Sequence, residues 1–230
     1  MDDARTAQVA AVAALAEPTR RLLYEHVVRR PGAVSRDEAA RATEVPRATV
    51  AFHLDKLVEE GLLDVVFERR TGRSGPGAGR PAKLYRRAGC DVAVSFPERH
   101  YDLAGGLLAA AMEEAQSTGE PPRAVLGRLA FTRGRELGAA ARTGAPAAGS
   151  PDVALGALER HGFEPRVEGG AVTLANCPFH RLAREHTELV CGMNLRLLEG
   201  VLDGAGDARR VARLQPSPGR CCVRLEPADG

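Results

Sequence analysis

Ala48-Thr49-Val50-Ala51-Phe52-His53-Leu54-Asp55-Lys56-Leu57-Val58-Glu59-Glu60-Gly61-Leu62-Leu63 places Val50, Leu54, Leu57 and Val58 at i, i+4, i+7 and i+8. That spacing lines one side of a helix with apolar residues. Gly61 follows where a left-handed C-terminal cap is expected. Ala48, Thr49, Phe52 and Lys56 fall on the opposite side. A helix packed along one stripe, with a short, uncharged or basic outer face, suits the DNA major groove. An ordinary amphipathic surface helix is the plainer reading, so the neighbouring sequence has to decide.

Upstream, residues 7–16 and 18–30 read as two helices, with Leu15, Leu22, Leu23 and Val27 at the buried positions. Pro18 suits a first helical turn and Pro31-Gly32 a stop. Ser35-Arg36-Asp37-Glu38 is a capping box, in which Ser35 accepts from the Glu38 amide and Glu38 reaches back. It opens a short helix running to about Thr43, and Pro46 then sits in the first turn of the helix quoted above. Two helices joined by a tight turn make a helix-turn-helix. Arg47, Ala48, Thr49, Phe52, His53 and Lys56 are its candidate DNA contacts. Thr49 and Phe52 would read base edges, Phe52 against a thymine methyl.

Downstream, the period changes. Leu63, Val65 and Phe67 alternate with Asp64, Val66 and Glu68, the pattern of a strand. Residues 71–81 form a long Gly-, Pro- and Arg-containing turn, and Lys83 to Arg87 return as a second strand around Leu84 and Tyr85. This hairpin is a wing. Arg69, Arg70, Arg73, Arg80, Lys83, Arg86 and Arg87 crowd it against a single acid, Glu68. Such a charge density is poor for packing and good for phosphate; Arg69, Arg70, Arg73, Arg80 and Lys83 are the candidate backbone contacts.

Leu15-Ala16-Glu17-Pro18-Thr19-Arg20-Arg21-Leu22-Leu23, Ala48-Thr49-Val50-Ala51-Phe52-His53-Leu54 and Glu60-Gly61-Leu62-Leu63 resemble ArsR-type and related winged-helix repressors. The resemblance covers about the first 88 residues. It implies a double-stranded DNA operator as partner. The cysteine ligands that some ArsR-type metal sensors carry on the recognition helix are absent here, so sensing is expected elsewhere in the chain.

Composition agrees with one basic half. Residues 1–88 hold 16 Lys and Arg against 12 Asp and Glu, whereas the 230-residue chain as a whole carries a net charge of only +2. No run of apolar residues is long enough to span a membrane. The Ala-rich start follows Asp2 and Asp3 where a signal peptide needs positive charge, so a cytoplasmic protein is expected. Residues 89–100 read as a linker carrying Cys90 as a plain small side chain. Tyr101 to Ser117 and a segment opening at Pro121-Pro122 read as helices. Their stripes (Leu103, Leu107, Leu108, Ala111, Met112; Val125, Leu126, Leu129, Ala130, Leu137) suit either a homodimer contact or intrachain core. Residues 139–149 read as a flexible loop.

Residues 150–230 read as a compact α+β unit. Ser150-Pro151 caps a helix over residues 153–160 that Gly162 stops; residues 163–168 and 171–175 are strands across Gly169-Gly170. One or two helices carry Leu182, Leu189, Val190, Met193, Leu197, Leu198, Val201 and Leu202, with Thr187 able to cap a fresh start. Residues 210–214 and 221–225 are the last strands.

Four of the five cysteines fall in this unit: Cys177, Cys191, Cys221 and Cys222. An odd count without an export signal favours metal or redox chemistry over disulfides. Thiolates at separate loop and helix-end positions suit an iron–sulfur cluster or zinc. Cys191, near a helix start, would be favoured as thiolate. Cys221 and Cys222, adjacent on a strand, would face opposite ways, leaving one as ligand and one as packing; Cys221 is preferred. His180, three residues after Cys177, is a further candidate ligand, or a polar residue on an exposed turn.

Asn176-Cys177-Pro178-Phe179-His180, Glu188-Leu189-Val190-Cys191 and Gly219-Arg220-Cys221-Cys222 resemble the effector domain of SufR-type iron–sulfur-dependent repressors. That resemblance implies a homodimer holding a cluster, a 4Fe-4S form included, on Cys177, Cys191 and Cys221, with another group completing the set. A structural zinc site with an unknown small-molecule effector is the alternative. No nucleophile–base set, phosphate loop or dinucleotide fingerprint stands out, so no enzyme is expected. The expected architecture is α+β: a winged helix-turn-helix over 1–88, linker and dimerisation helices over 89–149, and a cysteine-containing sensor over 150–230.

Overall fold

The computed structural model describes residues 3–68, 81–143, 152–217 and 219–228. Two compact units divide at Val94 and Ser95. The fold is α+β in both.

The first unit opens with α1 (Asp3–Ala14) and α2 (Pro18–Val28). Glu17 caps α2 by accepting from the Thr19 and Arg20 amides, and Pro18 takes the first helical position. β1 (Val34–Ser35) leads into α3 (Arg36–Thr43), whose capping box between Ser35 and Glu38 forms as expected. Glu44 ends α3 in the left-handed region and Pro46 precedes α4 (Arg47–Glu59), which makes the turn tight. Gly61, at φ +70°, ends the helix and feeds β2 (Leu63–Glu68). β3 (Ala82–Arg87) returns antiparallel to β2, with Val65 opposite Tyr85.

β1, two residues long and absent from the sequence reading, adds Val34 opposite Tyr85 on the other edge of β3. Its pairing is non-local, so no local pattern announces it. Val50, Leu54 and Leu57 are fully buried with Leu23, Val27, Leu63 and Tyr85. Leu22 and Phe67, expected inside, are exposed. Phe67 lies at the far end of β2, beyond the body of the unit that covers Leu63.

The second unit begins with α5 (Tyr101–Thr118) and α6 (Pro122–Thr143). α6 runs through Thr143 where a loop from residue 139 was expected. Ala139, Ala140 and Ala141 are strong helix formers, and Gly138 is a contact residue. α7 (Val153–Arg160) is capped by Asp152, which accepts from the Leu155 amide; the expected Ser150-Pro151 cap lies outside the described residues. β4 (Pro165–Glu168) and β5 (Ala171–Leu174) form the expected hairpin. α8 (His180–Glu185), α9 (Thr187–Ala205), β6 (Arg210–Leu214) and β7 (Val223–Pro227) complete the chain, with sheet order β4-β5-β7-β6. Thr187 is no cap: its hydroxyl donates to the Ala183 carbonyl, and His186 precedes the helix without a side-chain cap.

α6 and α9 touch through their backbones. A Cβ added at Gly134 would stand 1.9 Å from the Leu197 carbonyl oxygen, and one at Gly200 2.1 Å from that of Phe131. Gly138 and Gly204 repeat the contact one turn on, at 2.3 Å from Val201 O and 2.0 Å from Arg135 O. Glycine at i and i+4 on both helices permits this approach. The buried stripes of α5 and α6 join the core of α7, α9 and the sheet. The stripes, read as either a dimer contact or intrachain core, are covered within the unit except for Met112, which is 53% exposed.

Gly134→Ala or Gly200→Ala is expected to force the two helices apart and cost at least about 1–3 kcal/mol. Gly105 on α5 has nothing within 4 Å of an added Cβ, so Gly105→Ala should be neutral or stabilise by about 0.5–1 kcal/mol. Urea unfolding followed by circular dichroism measures both.

Candidate DNA-binding face and cysteine site

The packed stripe of α4 leaves Arg47, Ala48 and Phe52 exposed and Thr49 half-buried. Phe52 is 64% exposed, unusual for an aromatic side chain on a helix. Arg47 pairs with Asp37 across the turn, both side chains well exposed. Such a pair holds about 0–1 kcal/mol, so Arg47 can exchange it for a phosphate. Lys56 is held by Glu59 at 3.1 Å and Glu60 at 2.9 Å, which neutralises its charge on this face. His53 does not face outward. Its side chain is 11% exposed, and its Nδ1 lies 3.6 Å from Glu17 and accepts from Arg20 Nε at 3.5 Å. It ties the start of α2 to α4.

Behind α4, one acid organises the wing. Asp55 accepts from Arg36 at 2.5 Å, from Lys83 at 2.6 Å and from the Tyr85 hydroxyl at 2.7 Å. Arg36 Nε also donates to the Tyr85 oxygen at 2.7 Å. Burial alone would raise the Asp55 carboxyl, but the bonds from Lys83, Tyr85 and Arg36 outweigh it and hold it below the usual carboxylate range. Lys83, expected on phosphate, is therefore a strut between recognition helix and wing. Arg69, Arg70, Arg73 and Arg80 lie outside the described residues.

A family model described as a helix-turn-helix domain matches residues 15–66, from the α1–α2 turn into β2. The first unit is a helix-turn-helix domain. The chain is accordingly a DNA-binding transcriptional regulator, and the β2–β3 hairpin supplies its wing. Comparison with curated proteins and with solved structures returns no match. Among the described residues no helix is long and apolar enough to cross a membrane.

In the second unit the cysteines come from three segments: the loop after β5 (Cys177), the second turn of α9 (Cys191) and the bend before β7 (Cys221, Cys222). Cys177, Cys191 and Cys221 are buried and Cys222 half-buried, and the thiols influence one another's ionisation: Cys177 with Cys221, Cys221 with Cys222 and Cys222 with Cys191. β7 begins only at Val223, so Cys221 and Cys222 lie just before the strand, Cys221 buried and Cys222 half-buried. His180, exposed at the start of α8, stands apart in burial from Cys177, Cys191 and Cys221.

The interaction with Cys221 pushes the Cys177 thiol far up, and burial adds to it. At Cys221, the pull down from Cys177 is outweighed by Cys222 and by burial, leaving the thiol at about 12. Burial raises Cys191 despite a compensating interaction with Cys222. The helix start expected to favour a Cys191 thiolate is thus overridden by desolvation. As protonated thiols the group is compact, and among the described residues no three or more His, Cys, Asp or Glu side chains are arranged to hold a metal ion.

Three supporting residues went unread in the sequence. Asn194, on α9, is 1% exposed and donates to Cys221 Sγ at 3.2 Å. Arg99 donates to the Cys177 carbonyl at 3.2 Å and to Asn176 Oδ1. Asn176 in turn donates to the carbonyls of Glu98 and Gly162. Asn194 on the apolar stripe of α9, four residues after Val190 and followed by Leu197 and Leu198, was the available signal; Arg99 offered none, because its partners lie far along the chain.

Two outcomes follow from this geometry. With a thiol-specific chromogen at neutral pH, the exposed Cys90 should react first and alone in the fast phase, and Cys90→Ser should remove that phase while four thiols appear on unfolding. A carboxyl held below its unfolded value adds stability at neutral pH that is lost as the pH falls through and below about 4. Asp55→Asn should therefore lower the melting temperature of the first unit at pH 7 and shrink its loss between pH 6 and pH 3, as read by thermal melts across pH.

Proposed function

We propose that this regulator is a homodimeric repressor, not an enzyme, whose C-terminal cysteines bind an iron–sulfur cluster and make operator affinity depend on it. The observation that carries the reading is that four cysteines from three distant segments lie in the second unit, Cys177, Cys191 and Cys221 buried and Cys222 half-buried. Soft sulfur donors in that number are the ligand chemistry of iron–sulfur and zinc sites. The resemblance to SufR-type effector domains supports the cluster over zinc. An iron–sulfur cluster, when bound, would supply an oxidant-sensitive bond between these segments.

Cys177, Cys191 and Cys221 are the ligands of this reading, with Cys222 or His180 completing the set; the half-burial of Cys222 supports it over the exposed His180. Asn194 holds Cys221 against α9, and Arg99 fixes the backbone that presents Cys177. Occupancy would tie the start of α9 to the start of β7; vacancy would leave thiols whose burial opposes ionisation. At the other end of the chain, Thr49 and Phe52 would read bases while Arg47 and the wing arginines neutralise phosphates. The homodimer is supported by the outer face of α5, where Tyr101 and Met112 are exposed.

Purification without oxygen, with iron and acid-labile sulfide assayed beside the visible spectrum, tests the sensor. Iron and sulfide in matching amounts, lost in Cys177→Ser, are expected; zinc without sulfide would replace the cluster reading by a structural zinc site. On the operator, Phe52→Ala should weaken binding about tenfold, equal to about 1.4 kcal/mol, with the salt dependence unchanged because no phosphate contact is removed. Fluorescence anisotropy at several salt concentrations measures this.

A further inference from the structure

Between the end of β3 at Arg87 and the start of α5 at Tyr101 the chain forms no helix or strand. Residues 89–93 are exposed, whereas Ser95, Glu98, Arg99 and His100 are half-buried. The change falls where the first unit ends, at Val94. Residues 95–100 therefore belong to the second unit, and through Ser95 they join it to the DNA-binding unit.

Three consecutive residues of this segment are bonded to the loop that carries Cys177. Arg99 Nη1 donates to the Cys177 carbonyl at 3.2 Å and to Asn176 Oδ1. Asn176 Nδ2 donates back to the Glu98 carbonyl at 3.2 Å and to that of Gly162 at 2.5 Å. The His100 amide donates to the Pro178 carbonyl at 3.2 Å. Within the segment, the Arg99 amide donates to Ser95 Oγ at 2.9 Å. The Cys177 carbonyl also accepts from the His180 amide at 3.0 Å, so one oxygen ties the cysteine loop, the start of α8 and Arg99. Gly162 lets the segment lie close: a Cβ there would stand 3.1 Å from Glu98 Cβ and 3.3 Å from His100 Cδ2. Asn176, which links three of these strands of chain, is 7% exposed. A polar group at that depth is costly once a partner is lost, so the network holds or fails as a set.

We infer that residues 95–100 are a strap through which the Cys177 loop sets the operator affinity of the DNA-binding unit, with Arg99 as its positioning residue. A change at Cys177 that displaces its carbonyl takes an acceptor from Arg99, and the strap is released. Fastened, it fixes the chain at the point where it enters the DNA-binding unit. Released, it adds residues 95–100 to the run without helix or strand, and DNA binding then has more conformational freedom to remove. The plainer role is a linker packed on its own unit without effect on DNA. The signal that reaches the strap rests on the proposed sensing by the cysteines; the mechanics of the strap rest on the hydrogen bonds above.

The test compares the full-length chain with Arg99→Gln and Arg99→Lys, by amide hydrogen exchange and by operator titration at several salt concentrations. Arg99→Gln should speed exchange at the His100 amide while α6 and α9 exchange as in the wild type, the sign that the unit is folded. It should also weaken operator binding about fivefold or more, with the salt dependence unchanged because no phosphate contact is removed. Arg99→Lys keeps a charged donor and should restore part of both. Ser95→Ala, which removes only the bond within the segment, should act in the same direction more weakly. Faster exchange with unchanged operator affinity would reduce the strap to packing and overturn the proposal. Unchanged exchange, or a salt slope lower by about one, which marks Arg99 as a phosphate contact, would overturn it equally. The cysteine side is read separately, as the ratio of operator affinities before and after air exposure of protein purified without oxygen. Arg99→Gln should bring that ratio towards one, and a ratio kept at the wild-type value would overturn the proposal. A wild-type ratio of one would refute the sensing reading, while weakened binding by Arg99→Gln would still establish the strap.

Discussion

Backbone contact between α6 and α9 is the constraint on which the second unit depends. Four glycines, two on each helix, let carbonyl oxygens of one helix sit where side chains of the other would be. Helices this close leave no room for adjustment by rotamer changes, so the axis of α9 is set by α6. α9 carries Cys191 and Asn194, and Asn194 holds Cys221. The position of the thiol group is therefore a consequence of a helix contact that involves no thiol. The same contact makes α5 and α6 part of the cysteine-bearing unit, and burial of their stripes follows from it.

The DNA-binding unit relies on charge where the other relies on close approach. Asp55 collects Arg36 from α3 and both Lys83 and the Tyr85 hydroxyl from β3. A recognition helix can read a groove only if its orientation relative to the wing is fixed. Asp55 does this at the back of α4, while His53, Glu17 and Arg20 do it at the front of α2. Residues that look available for DNA by helical position are consumed by this bracing. What remains facing out on α4 is Arg47, Ala48, Phe52 and the partly covered Thr49.

The thiols illustrate how burial changes chemistry that spacing suggests. A helix start favours a thiolate by a fixed partial charge, yet Cys191 is raised by desolvation, which is the larger effect at a buried sulfur. Cys177 is raised by Cys221 and by burial, and Cys221 by Cys222 and by burial against a pull down from Cys177. A group of protonated thiols packs compactly and without charge. Ligation would have to supply the deprotonation energy, and metal binding is coupled to proton release for this reason.

Local signals were sufficient for most of the helix-turn-helix. The Ser35–Glu38 capping box, Pro18, the Val50–Leu54–Leu57 stripe and Gly61 each act within a few residues, so the chain itself announces α2, α3, α4 and the strand after them. The cysteine segments were legible as residue types, because thiol chemistry belongs to the side chain wherever it sits. Tertiary structure alone decided the rest. Residues 139–143 read as loop until α6 is laid against α9; His53 and Lys83 read as DNA contacts until Glu17 and Asp55 claim them. Cys222 reads as the spare of a pair until a bend before β7 brings it to Cys191. In each case the deciding partner lies far along the chain, and no local pattern encodes a contact whose energy exists only once both segments are folded.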